Sequence, residues 1–175
     1  NRGFSTCEIG EFIAFNTVLS EEERQKVEGY LTHRWKSMLT LDPSHPYASS
    51  APIWSPLDEI TLEAWFDAND SSTINKGFVK KWKDIANQNE FSQSELLQRP
   101  AIIENALNGL PVIDFDGEKD WLSINSRFGL NKNPDLSIFA VSITDSLRVS
   151  MNTEDNNISA APTGYEETKG PEFVV

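Results

Sequence analysis

The sequence predicts an all-β sandwich that carries one amphipathic helix near its N-terminus. Short apolar runs with a strand-like pattern follow residue 60, polar turn residues separate these runs, and a single capped helical pattern precedes them. The chain has 175 residues, and 38% of them are hydrophobic, including five Trp and ten Phe. That content is enough for a packed core, so wholesale disorder is not expected.

The first two predicted elements are a strand and a helix. Residues 8–15 alternate imperfectly between apolar and polar side chains, which is typical of a strand with one buried face. Ser20 and Glu23 have the spacing of a capping box, and Asp42-Pro43 marks a helix stop. His33 is placed on the solvated side of this helix. The buried stripe is predicted to consist of Val27, Tyr30, Leu31, Trp35 and Met38.

Strand patterns resume after a segment of small residues and prolines at residues 48–59, which predicts a linker. The alternation of Leu62, Ala64 and Phe66 indicates a strand, and Phe78-Val79 with Trp82 indicates a short one. Trp54, Trp65, Trp82 and Trp121 are candidates for stacking on sugar rings, but Trp65 and Trp82 lie in strand patterns and are expected in the core.

Two turns shape the predicted strands that follow. Asn108-Gly109 precedes a strand at residues 110–115, and Asp116-Gly117 predicts a reversal, which makes residues 112–124 a hairpin. Residues 136–143 (LSIFAVSI) are the most β-prone run and predict a central strand covered on both faces. Residues 146–175 contain few large apolar side chains and predict a poorly ordered or unassigned tail.

Charge and cysteine content exclude several classes of partner and site. Fifteen basic and 27 acidic residues give a formal net charge of −12, which disfavours nucleic acids and anionic lipid surfaces as partners. No apolar run has membrane-spanning length, so membrane insertion is not expected. Cys7 stands alone, which excludes an intramolecular disulfide and predicts a small buried apolar side chain.

The sequence offers little catalytic chemistry. His33 and His45 lie in separate elements of the pattern, and His45 is predicted to anchor a loop. The sequence contains no nucleophile elbow, phosphate-binding glycine loop or HExxH motif. The compact Glu-x-Asp-x-x-Glu arrangement of β-sandwich hydrolases is also missing. We therefore predict no catalytic residues and a protein that is not an enzyme.

One acidic turn, residues 114–120 (DFDGEKD), has possible metal chemistry. Carboxylates spaced along a turn can direct several oxygens at one point, as calcium requires, and Asp116 and Asp120 are the candidate calcium ligands. In the alternative, Asp116 caps backbone amides while Gly117 adopts a left-handed conformation. The strongly acidic composition is compatible with calcium uptake and equally with simple solubility. A weaker group of the same kind consists of Asp67, Asp70 and Ser71.

Two segments resemble a known family. Residues 10–47 combine a GE-apolar-apolar strand, the pattern N-x-x-LS-x-EER-x-x-VEGYL-x-H-x-W and a final SHPY. This segment resembles the C-terminal end of the laminin-G-like (concanavalin A-like) jelly-roll domains of large secreted bacterial proteins. Residues 62–141, with LEAWFDANDSSTI, RP and LNGLPVIDFDGEKDWL, are similar to the N-terminal half of the same family.

The resemblance implies a jelly-roll sandwich whose end precedes its beginning. Either the chain spans the junction of two tandem domains, or it is one permuted sandwich whose halves pair with each other. The first is favoured, because central strands of a full domain appear in neither segment. The expected division is therefore a C-terminal strand-helix piece at 1–47, a linker at 48–59, an N-terminal half at 60–145 and a tail at 146–175.

The resemblance also implies a function. We expect a non-catalytic binding or adhesion module at the bacterial cell surface, cut from a larger multidomain protein, with a glycan or another surface ligand as its partner. The alternative is an accessory carbohydrate-binding domain of a secreted polysaccharide-degrading enzyme. Calcium is the only cofactor considered, and the residues that contact the ligand are not assigned.

Overall fold

The computed structural model describes residues 6–36, 40–124 and 135–144, together with the backbone of three later strands. The described chain is mostly antiparallel β-sheet with one helix, which is compatible with an all-β sandwich. In chain order the elements are β1 (Thr6–Phe15), α1 (Glu21–Trp35), β2 (Leu62–Asp67), β3 (Lys81–Lys83), β4 (Glu90–Ser92), β5 (Ala101–Leu107), β6 (Leu110–Asp116), β7 (Ser123–Ile124), β8 (Ser137–Thr144), β9 (Val149–Asn152), β10 (Asn157–Ala160) and β11 (Gly170–Glu172).

Strand β1 lies at the centre of the large sheet. The sheet has the order β11-β8-β1-β6-β5, with β2 as an additional strand on β1. On one side of β1, β6 pairs with the N-terminal half and β2 pairs with the C-terminal half, while β8 occupies the other side. Strands β3, β4 and β7 form a small sheet, and β9 pairs with β10.

The large sheet is covered on both faces. Helix α1 packs on one face through a core that includes Ile13, Phe15, Val27, Leu31, Trp35, Val112, Phe139 and Val141. The small sheet packs on the other face through a core that includes Ala14, Ala64, Phe66, Val79, Trp82 and Ile113, with Phe91 and Ile124 against it. Strand β8 contributes to both cores, in agreement with the prediction of a strand covered on both faces.

A β-bulge in β1 explains its imperfect alternation. Ile9 pairs with Ser142 and Glu11 pairs with Val141, so β1 contains one more residue than β8 at Gly10. After the bulge, the residues of β1 alternate between the two cores in the opposite phase. Glu11 consequently faces α1, in line with Ile13 and Phe15.

Helix α1 begins where the sequence predicts and ends earlier than predicted. The Ser20 hydroxyl accepts a hydrogen bond from the Glu23 amide at 3.3 Å, and the Glu23 carboxylate accepts one from the Ser20 amide at 2.7 Å. The helix ends at Trp35, because Lys36 adopts a left-handed conformation with φ of 38°. The predicted stripe is buried at Val27, Leu31 and Trp35 and half-buried at Tyr30, and Met38 lies outside the described residues.

The predicted hairpin at residues 112–124 is wrong. Strand β6 pairs with β1 and β5 in the large sheet, whereas β7 pairs with β4 in the small sheet. The hairpin is instead β5–β6, joined by Asn108 and Gly109 with φ of 51° and 77°, the signs that a type I′ turn requires. The sequence did not predict β5, because its middle residues, 103–106, are exposed and Asn105 (φ 56°) interrupts its register.

The predicted linker packs against the helix. Trp54 contacts Tyr30 with a ring separation of 5.7 Å, and the buried Pro56 begins a 3₁₀ turn, Pro56–Asp58. A Cβ on Gly29 would lie 2.6 Å from Cβ of Tyr47, just before the linker, and 3.1 Å from Cδ of Pro52 within it, so a side chain at position 29 would displace both from α1. No helix of the described chain is long and apolar enough to cross a membrane.

The two segments that resemble one family share a sheet and both cores. Strand β1, which runs from residue 6 into the first segment, pairs with β2, β6 and β8 of the second. The division at 1–47, 48–59, 60–145 and 146–175 within a parent protein stays a prediction. In the predicted tail, the backbones of β9, β10 and β11 are described, and β11 extends the large sheet beside β8. The rest of that tail prediction lies outside the described residues.

Candidate functional site

A buried carboxylate, Glu11, lies between the large sheet and α1. Its Oε1 accepts hydrogen bonds from the Tyr30 hydroxyl at 3.0 Å and the Trp65 indole at 2.7 Å. Its Oε2 accepts one from the Trp35 indole at 2.5 Å and lies 3.4 Å from Nε of Arg34. The Arg34 guanidinium also forms an ion pair with Asp67. We call these six residues the Glu11 cluster: Glu11, Tyr30, Arg34, Trp35, Trp65 and Asp67.

The fold assembles the Glu11 cluster from three elements. The bulge at Gly10 directs Glu11 toward α1, and the register of β1 with β2 places Asp67 directly opposite Glu11. Tyr30 and Arg34 are four residues apart on one side of α1, and Trp35 follows Arg34 at the helix end; the side chains of all three reach Glu11. The β5–β6 turn holds the end of the helix, since the Asn108 side-chain amide donates to the Arg34 carbonyl at 2.9 Å.

Gly10 leaves the space that the Trp35 ring occupies. A Cβ at position 10 would lie 2.6 and 2.7 Å from two carbons of that ring, which is closer than real Cβ contacts permit. Trp35 is fully buried, and its indole hydrogen bond to Glu11 fixes the orientation of the ring. The sequence pair Gly10-Glu11 therefore provides both the room and the anchor for Trp35.

Burial dominates the electrostatics of the Glu11 cluster. Burial raises the pKa of Glu11 to about 7, repulsion by Asp67 adds to the shift, and the hydrogen bonds from Trp35 and Trp65 together with Arg34 oppose it. Burial also raises the pKa of Asp67 against the attraction of Arg34. The pKa of Tyr30 is raised by burial and by the neighbouring Glu11 carboxylate. The Glu11 carboxyl, which is itself fully buried, can therefore hold or release a proton near neutral pH.

A separate polar cleft of about 170 Å³ opens beside the loop that follows β2. Its apolar floor includes the buried residues Ala68 and Ile74. Ile102 and Pro111 add apolar surface, and the remaining lining groups are two side-chain amides, a hydroxyl, one ammonium and one carboxylate. The residues of this polar cleft are Ala68, Asn69, Ser71, Ile74, Asn75, Lys76, Ile102, Glu104 and Pro111.

The loops around the polar cleft are held by their own side chains. The Asp70 carboxylate accepts hydrogen bonds from the Ser72 amide at 2.9 Å and the Ser72 hydroxyl at 2.6 Å. The Asn75 side chain donates to the Phe78 carbonyl at 2.7 Å and accepts from the Lys80 amide at 3.1 Å. Phe78 itself is 58% exposed in the same loop. These hydrogen bonds hold the two loops, and an exposed aromatic ring belongs to the second of them.

The predicted calcium ligands form a capped turn. Asp116 Oδ1 accepts hydrogen bonds from the amides of Glu118 and Lys119 at 2.9 Å and of Asp120 at 3.1 Å, and Oδ2 lies 2.6 Å from the Lys119 ammonium. Gly117 has φ of 71°, as the capping alternative requires. Although slight burial opposes the shift, these hydrogen bonds hold the pKa of Asp116 well below its ordinary value.

Asp120 points toward the same turn. Its Oδ2 accepts from the Asp116 amide at 3.3 Å, and burial raises its pKa. Within the described ranges, no three His, Cys, Asp or Glu side chains are grouped so that they could hold a metal ion. Calcium binding by Asp116 and Asp120 stays a prediction, and the observed hydrogen bonds give both residues a role in the turn.

The two histidines meet at one residue, contrary to the separation that the sequence suggested. His33 is half-buried, and its Nε2 lies 2.8 Å from the Tyr47 carbonyl, so its predicted solvated position is wrong. His45 Nδ1 accepts from the Tyr47 amide at 3.1 Å, and its Nε2 lies 3.2 Å from Glu28. His45 therefore anchors the loop as predicted, and His33 helps to attach that loop to α1.

The remaining predicted core residues are partly confirmed. Trp82 is buried, whereas Trp65 is half-buried and its indole N–H donates a hydrogen bond to Glu11. Cys7 is half-buried, and burial raises the pKa of its thiol to about 11, which keeps it protonated and unreactive at neutral pH.

The sequence analysis missed both the Glu11 cluster and the polar cleft. A signal for the cluster was present, because an acidic residue inside an apolar strand with broken alternation indicates a buried polar partner. Residues from four separate stretches line the cleft, and no local pattern connects them. No protein-family model, curated protein or solved structure matches the chain. The cluster and the cleft are therefore interpreted from their own chemistry.

Proposed function

We propose that this chain is a non-catalytic carbohydrate-binding module of a large extracellular bacterial protein, with a jelly-roll sandwich, and that the polar cleft receives the sugar. The observation that carries the proposal is the lining of the cleft, which presents donors and acceptors above an apolar floor. Sugar hydroxyls both donate and accept hydrogen bonds, while their C–H faces pack on apolar side chains. Binding sites of this kind combine a few convergent polar groups with apolar walls.

The size of the cleft limits the ligand. Its volume of about 170 Å³ is smaller than the roughly 300–1,000 Å³ of pockets that enclose drug-sized ligands. It would therefore take one sugar unit, such as a chain end or a branch. Lys76 and Glu104 provide one charge of each sign, so neither a neutral nor a charged sugar is excluded by the lining alone.

The lining favours binding over hydrolysis. Glycoside hydrolysis uses two carboxyl groups that flank the scissile bond. Glu104 is the one carboxylate among the residues that line the cleft. Glu11 and Asp67 are both buried and are engaged by Arg34 and the indoles. The resemblance of residues 10–47 and 62–141 to laminin-G-like jelly rolls also supports a binding function, and it does not depend on the cleft.

The test is a titration of the purified chain with a panel of monosaccharides, followed by amide NMR. We expect weak binding, with shifts concentrated at Asn69, Asn75 and the backbone of residues 68–76. Asn69→Ala should remove these shifts, whereas Asn16→Ala replaces an exposed Asn outside the cleft and should retain them. An unchanged spectrum with every sugar at tens of millimolar would refute the site. Release of reducing sugar from a polysaccharide would refute the non-catalytic assignment.

A further inference from the structure

The Glu11 cluster contains two buried carboxylates and one guanidinium whose side chain is 28% exposed. Among the described residues, the charged and titratable groups that face Glu11 are Tyr30 and Arg34 on α1 and Asp67 on β2. Its partner on β8 is the apolar Val141. Arg34 contacts both carboxylates, so ionisation of both leaves one negative charge without a cation. An unpaired buried charge is strongly destabilising.

We propose that the Glu11 cluster is a pH-sensitive latch that holds α1 on the large sheet: Glu11 keeps a proton while the helix is docked, and its ionisation loosens the helix. The geometry provides a place for that proton. The indoles of Trp35 and Trp65 can only donate, whereas the Tyr30 hydroxyl can also accept. When Oε1 of Glu11 is protonated, it can donate to the Tyr30 oxygen, which reverses the direction of the bond that the carboxylate accepts from Tyr30, while both indoles continue to donate to the carboxyl oxygens.

The sign of the effect follows from burial. Burial raises the pKa of Glu11 to about 7 from an ordinary value of 4.5. The folded state therefore holds this proton more tightly than the unfolded chain does. The stabilisation from Glu11 is fully present when the pH is below 4.5, the ordinary pKa of the group. It is lost as the pH rises through about 7, the pKa of Glu11 in the folded state. The latch is closed in mildly acidic solution and weakens toward alkaline pH.

The latch acts on a defined part of the surface. Three of its six members lie in the last turns of α1, so separation of that helix end from the sheet exposes Glu11 to water. The same helix carries the linker through Tyr30 and Trp54, and the SHPY loop through His33 and Tyr47. Loosening of α1 would therefore release these segments together.

Hydrogen exchange of the α1 amides tests the proposal directly. Protection factors, which correct for the intrinsic pH dependence of exchange, should fall roughly 50- to 100-fold between about pH 5 and pH 8 in the native chain. Glu11→Gln removes the titrating group with nearly the same shape, and its protection should change far less over this range. Glu118→Gln alters an exposed carboxylate and should behave as the native chain does. An equal fall in Glu11→Gln and in the native chain would overturn the proposal.

A second measurement, on the native chain, tests the proposal even if the Glu11→Gln variant does not fold. Carbon-13 NMR of the side-chain carboxyl groups in the native chain reports the titration of Glu11 itself. A midpoint near pH 7 supports the latch. A midpoint near the ordinary value of glutamate would overturn it, because the folded state would then bind the proton no more tightly than the unfolded chain.

Discussion

The contact between Gly10 and Trp35 allows a sharp test of how the helix is seated. Gly10→Ala places a methyl group 2.6–3.1 Å from three carbons of the buried Trp35 ring. The ring cannot withdraw freely, since its indole donates to Glu11 at 2.5 Å and the side chain is fully buried. Overpacking of this kind typically costs about 1–3 kcal/mol. We therefore expect the free energy of unfolding to fall by that amount, measured by urea denaturation.

A double-mutant cycle separates the steric clash of Gly10→Ala with the Trp35 ring from other effects of the substitution on stability. Trp35→Leu removes the ring atoms that the new methyl group would meet, and by itself costs up to the roughly 3–5 kcal/mol of a Trp truncation. In that background, Gly10→Ala should cost much less than in the native chain, because the cavity accepts the methyl group. Coupling of about 1 kcal/mol or more is expected, and additivity within about 0.5 kcal/mol would refute the assignment of Gly10 to this contact.

Three further expectations concern the helix end, the acidic turn and the surface charge. Lys36→Gly should stabilise the chain by about 1 kcal/mol in urea, because glycine adopts the left-handed conformation without strain. If Asp116 and Asp120 hold calcium, millimolar calcium should raise the melting temperature, and the Asp116→Asn, Asp120→Asn double variant should lose the response; a melting curve unchanged by calcium would leave capping as their role. Fluorescence anisotropy should show no binding to DNA at physiological salt, given the net charge of −12.

The helix was predictable because its signals are local. The capping box at Ser20 and Glu23 operates within one turn, and the spacing of Val27, Leu31 and Trp35 is a property of the helix alone. Its end was misplaced because the left-handed Lys36 stops the helix well before the proline at position 43. Nothing in the residue type of a lysine indicates that conformation.

The strand partners were less predictable because they depend on distant residues. Asp116-Gly117 does form a turn, but Phe91 of β4 pairs with Ile124, so the following strand leaves the large sheet. The same turn shows why residue spacing alone could not separate a metal site from a cap. Carboxylates on a turn serve both purposes, and only the positions of the backbone amides around Asp116 distinguish them.

Glu11 connects the prediction of the fold with that of the site. A slip of β1 by one residue would turn Glu11 toward the small sheet, where the core consists of apolar and aromatic side chains. On the helix side, Glu11 contacts two indoles, a phenol and a guanidinium. A buried carboxylate without partners is heavily penalised, so these groups favour one register of β1 and one position of α1 over their neighbours. The bulge at Gly10 is the backbone feature that makes this register possible. It also explains why apolar and polar residues do not alternate regularly in the sequence of β1.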